Sequence, residues 1–82
     1  MSTDNYMLIA KEKGKFVGYH QSASDDELQF DHASFIVDTI EEAIYLCQSG
    51  QWAGDDDMLG GYLEYGYRFL LDKDGRIKEA DE

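Results

Sequence analysis

The chain has no proline, a single cysteine, no apolar run near the length of a membrane span, and no lysine or arginine between Lys15 and Arg68. Each absence excludes something. One cysteine, Cys47, rules out an internal disulfide and suits a reducing compartment. A spanning helix needs about 18 to 20 apolar residues, and no segment approaches that. Residues 1–5 are polar and acidic, which is not the pattern of a secretory leader, so the expected address is the cytoplasm. Without proline, a short regular fold without linkers is expected over residues 1–82, as one domain.

The missing bases matter most. The 52 residues between Lys15 and Arg68 hold eleven acids: Asp25, Asp26, Glu27, Asp31, Asp38, Glu41, Glu42, Asp55, Asp56, Asp57 and Glu64. The remaining residues carry seven acids against seven bases, so the whole net charge of −11 lies in the middle. A one-sign field of that size acts on partners rather than on fold: it attracts cationic surfaces and repels nucleic acid. Disorder does not explain it. Eleven aromatics in 82 residues are far more than disordered acidic chains carry.

The pattern along the chain predicts an α+β fold: a small, mostly antiparallel sheet in the order β-β-β-α-β-β, with one helix packed on one face. Residues 5–12 and 15–21 read as a hairpin turned at Lys13-Gly14, with Lys11, Lys13 and Lys15 around its tip. Gly18 within the second strand marks a bulge or a close neighbour. Residues 22–32, with their Ser-Ala-Ser-Asp-Asp-Glu run, read as a solvated, mobile loop, and 34–37 as a third strand. Thr39-Ile40-Glu41-Glu42 matches a capping box. Ile40, Ala43, Ile44 and Cys47 follow on one helical face, and Gly50 stops the helix. Residues 51–61 read as an acidic loop, 62–71 as an aromatic strand, 72–75 as a turn and 76–79 as a last short strand.

Few residues here suggest chemistry. His20, His32 and Cys47 lack metal-ligand spacing. Asp72 to Ile77, with Asp81, partly follows a calcium-loop pattern, but Leu70 falls where the first ligand belongs. Gly60-Gly61 precedes a strand rather than a helix, so it is no phosphate loop. No cofactor or metal is expected. Cys47 with a histidine would be a minimal catalytic pair, but Cys47 falls on the apolar helix face, where thiols are inert.

Asp38, Glu41 and Glu42 have a structural reason to exist, since carboxylates in a first helical turn are stabilised by the macrodipole. The loop clusters have none. They mark Asp25, Asp26, Glu27, Asp31, Asp55, Asp56 and Asp57 as residues that engage a partner, with Trp52, Tyr62 and Tyr45 as aromatic anchors. The expected function is that of a non-enzymatic protein that binds a basic surface. The partner would be a nucleic-acid-binding protein or nuclease, inhibited through mimicry of nucleic acid. In size and charge the chain resembles small acidic proteins encoded by phages and other mobile elements, some of which block host nucleases; that resemblance implies an inhibitor and assigns no residue. The alternative is a self-associating structural or regulatory module, a homodimer joined through Tyr62, Tyr65, Tyr67, Phe69 or Trp52, in which the charge only confers solubility.

Overall fold

The computed structural model describes residues 4–24, 26–53 and 61–78. Strands β1 (Asn5–Glu12), β2 (Lys15–Ser22) and β3 (Phe35–Val37) are followed by helix α1 (Ile40–Ser49), a single 3₁₀ turn (Gln51–Ala53) and strand β4 (Tyr67–Phe69). They build a four-stranded mixed sheet in the order β3-β2-β1-β4. The α+β class follows the sequence pattern.

The first half forms where the pattern places it. In the β1–β2 hairpin, both turn residues take positive φ (Lys13 at 52°, Gly14 at 80°), as the right-handed twist of a two-residue hairpin demands. Every residue from Asn5 to Ala10 is buried, because β1 is central and covered on both faces. Met7 and Ile9 face the helix, in a core with Phe35, Ala43, Cys47 and Trp52. Ala10, Val17 and Tyr19 form a second cluster on the opposite face, joined by Leu70. The α1 boundaries are chemical: the Thr39 hydroxyl accepts from the Glu42 N–H at 3.2 Å, and Gly50 closes the helix at φ 79°.

Gly18 is a point of close approach. It pairs with Phe35 on β3, and a Cβ built at Gly18 would stand 2.2 Å from the Phe35 ring. Gly18→Ala therefore forces the ring out of the core and should lower stability by about 2 kcal/mol in urea denaturation. An unchanged midpoint would show that Phe35 moves aside without cost.

The second half departs from the expected order. The aromatic segment 62–71 is a strand only over Tyr67–Phe69, and it runs parallel to β1. Two features shorten it. Gly66 takes a φ of 69°, and the Asn5 side chain captures the backbone before it: Asn5 Nδ2 donates to the Tyr62 carbonyl at 2.7 Å, and Asn5 Oδ1 accepts the Glu64 N–H at 2.9 Å. Among the described residues, which end at Lys78, the expected fifth strand is a single bridge between Leu71 and Ile77. Asp72 explains it, since its Oδ1 accepts the N–H groups of Asp74 and Arg76 and winds 72–76 into a tight turn. Asp72 to Ile77 of the partial calcium-loop pattern is thus a turn capped by Asp72, while Asp81 lies outside the described residues.

Candidate functional site

The segment 23–34 leaves β2 and crosses the face of the sheet opposite the helix. We refer to it as the strap. Gln21 holds it. By strand alternation Gln21 shares the face of Val17 and Tyr19, and its buried amide bonds the Gln29 backbone twice: Oε1 accepts the Gln29 N–H at 2.8 Å and Nε2 donates to the Gln29 carbonyl at 2.5 Å. The Phe30 ring stands edge-on to Tyr19 with centroids 5.1 Å apart. The ends are tied by Ala23 N–H to Asp4 O at 2.6 Å and by Ser34 N–H to Gly18 O at 2.7 Å. The loop is solvated as expected, with 23–24 and 26–33 exposed, and its backbone is tied at both ends and in the middle.

What the strap presents is acidic and apolar together. Asp26, Glu27 and Asp31 are exposed. Between them Leu28 is 43% and Phe30 38% exposed, and beyond its end Ile36 on β3 is 62% exposed. A groove of about 350 Å³ runs beside the strap, with Val17, Tyr19, Ala33 and Ile36 as apolar walls and Glu12, Lys13 and Lys15 at its hairpin end. There the Tyr19 hydroxyl donates to the Glu12 carboxylate, and Lys15 pairs with Asp38.

Other sequence-marked residues are placed differently. Asp25, Asp55, Asp56 and Asp57 lie outside the described residues. Trp52 does not present itself to a partner; it is 8% exposed, and its indole N–H donates to the Gly61 carbonyl at 3.0 Å. Tyr62 is exposed, as are Tyr45 and Tyr65, while Tyr67 and Phe69 pack against the main core. Gly61, expected as part of a flexible pair, is buried at a φ of 83°.

Asn5 was not marked by sequence. Besides its two bonds to 62–64, its Nδ2 lies 2.9 Å from His20 Nε2. The amide orientation is fixed by the Glu64 N–H, so Asn5 donates and His20 Nε2 is the unprotonated nitrogen. The His20 ring also lies 4.7 Å from Trp52. An isolated Asn opening an apolar strand is the signal that marks such a buried polar hub. Among the described residues every buried side-chain nitrogen and oxygen has a hydrogen-bond partner.

Cys47 is buried on the core side of α1, and desolvation pushes its thiol up to about 11. The neutral thiol is then the folded state's preferred form. Native protein at pH 8 should resist a thiol reagent that labels the unfolded chain at once. Because the folded pKa lies above the unfolded one, this group costs stability only as pH rises from near 9 toward 11. Rapid native labelling at pH 8 would contradict this placement.

Comparison with protein families, curated proteins and solved structures finds no match to this chain. No helix among the described residues is long and apolar enough to cross a membrane.

Proposed function

We propose that this domain is a non-enzymatic interaction module that docks on a basic protein surface through its strap, and that the partner's surface is one that otherwise holds nucleic acid. The supporting observation is the strap itself: Asp26, Glu27 and Asp31 stand exposed around Leu28 and Phe30 on a segment held by Gln21, Tyr19 and Gly18. Acids steer encounter with a cationic surface, and apolar side chains among them supply desolvated contact. A pre-ordered segment loses little conformational entropy on binding. Exposed Asp38, Glu41 and Glu42 extend the same sign of charge to the start of α1. Such a field resembles that of a phosphate backbone, and a nucleic-acid-binding protein or nuclease is the class of partner whose own surface is built to meet it.

The test reverses the strap. In the triple variant Asp26→Lys, Glu27→Lys, Asp31→Lys, association with the captured basic partner should slow by about ten- to a hundredfold at low salt. The circular dichroism spectrum and melting temperature should hold, because all three side chains are exposed. Unchanged association by the folded variant would remove the strap from the interface.

A further inference from the structure

We propose that β3 is a docking edge, and that the partner contributes an extended basic segment which adds to the sheet beside Phe35–Val37 and places apolar side chains in the groove. This rests on the basic-partner reading above and specifies how the partner is held. Three observations carry it. First, β3 is the last strand on its side of the sheet, and the backbone bonds of Phe35–Val37 among the described residues run to β2 alone. Although β3 is only three residues long, Phe35-Ile36-Val37 carries none of the side-chain guards of an edge, having no proline, lysine or other charge. Beyond Val37 the chain bends at Asp38 and Thr39 into α1, so the edge offered is Phe35–Val37 itself.

Second, the two faces beside this edge differ. Ile36 lies opposite Val17 and lines the groove with Val17 and Tyr19, whereas Phe35 and Val37 turn to the helix side and pack in the main core. A strand laid against β3 alternates in the same way. One set of its side chains meets the groove, which at about 350 Å³ has room for large apolar groups. The other set comes up beside the first turn of α1.

Third, that turn and the residue before its cap are acidic. Asp38, Glu41 and Glu42 are exposed, and Glu41 and Glu42 have no ion-pair partner among the described residues. Asp38 pairs with Lys15 in an exposed contact of the kind that a better-placed cation exchanges readily. The recognised segment is thus extended, with apolar residues on one face and lysine or arginine on the other. Its main-chain bonds supply affinity and its alternation supplies specificity.

The probe is a short peptide alternating leucine and lysine, with a twin bearing glutamate for lysine and two further twins N-methylated on one or the other set of alternate amides. Binding is followed by amide chemical shifts and hydrogen exchange of the full chain. The lysine peptide should bind, protect the outward-facing amides of Phe35–Val37 and shift Val17 and Ile36, while the glutamate twin should not. Only one set of peptide amides faces β3, so one N-methylated twin should bind like the parent and the other at least about tenfold more weakly. If both N-methylated twins match the parent, with shifts centred on Asp26, Glu27 and Asp31, the docking edge is wrong while the basic-partner reading stands. If lysine and glutamate peptides behave alike, or neither binds at millimolar concentration, both fail. Protection of Phe35–Val37 in a free dimer would also overturn the proposal, because a second copy would then occupy the edge.

Discussion

Gly61→Ala should remove most of the domain's stability. A domain of this size has a margin of only about 3–5 kcal/mol, and the substitution should remove about 3 kcal/mol or more. Gly61 sits at a φ of 83°, where a side chain costs about 1–2 kcal/mol by itself. The larger cost is contact. A Cβ on Gly61 would stand 2.2 Å from the Gly50 carbonyl oxygen and 2.5 Å from its Cα, and both are backbone atoms that no rotamer change can move. Gly50 is itself the left-handed residue that ends α1. Relieving the clash must therefore disturb the helix end, pull the Gly61 carbonyl from the Trp52 indole, or both. Urea denaturation measures the loss. A change under about 0.5 kcal/mol would mean that the two glycines are not packed backbone to backbone.

Asn5→Leu should cost about 2–4 kcal/mol although leucine has the same branched heavy-atom skeleton as asparagine. It removes the acceptor of the Glu64 N–H, the donor to the Tyr62 carbonyl and the donor to His20 at once. The two backbone groups then lie against an apolar side chain with no replacement partner. The damage should be local before it is global. Hydrogen exchange should accelerate first at Glu64, and the Tyr65 N–H to Asn5 carbonyl bond of 3.0 Å should weaken with it. Exchange unchanged at Glu64 and Tyr65 would show that 62–66 is held by something other than Asn5.

These two sites also show where the sequence was readable. The hairpin, the Thr39 cap and the Gly50 stop are set by neighbours within a few residues, so Lys13-Gly14 and Thr39-Ile40-Glu41-Glu42 announce them. The segment 62–71 carries enough β-formers to read as a full strand. A side chain 57 residues away in sequence takes its backbone bonds first, and no local pattern contains that competition. Trp52 is the same kind of case. An indole at the start of an acidic loop reads as an exposed anchor, and only the arrival of Gly61 and the His20 ring buries it. The acids of the strap were legible as charge but not as a held surface. The signals that would have revealed it are Gln21, which falls on the inward parity of β2, and Phe30, the aromatic in an acidic segment.

The most direct measurement is capture from cell lysate at about 0.1 M salt, with the intact domain and the folded strap-reversal variant in parallel, eluted by rising salt and separately by duplex DNA. The intact domain should retain a basic nucleic-acid-binding protein that both salt and DNA release, and the variant should retain little of it. Retention of the same protein by the variant, or a partner that duplex DNA cannot displace, would contradict docking of the acidic strap on a nucleic-acid site.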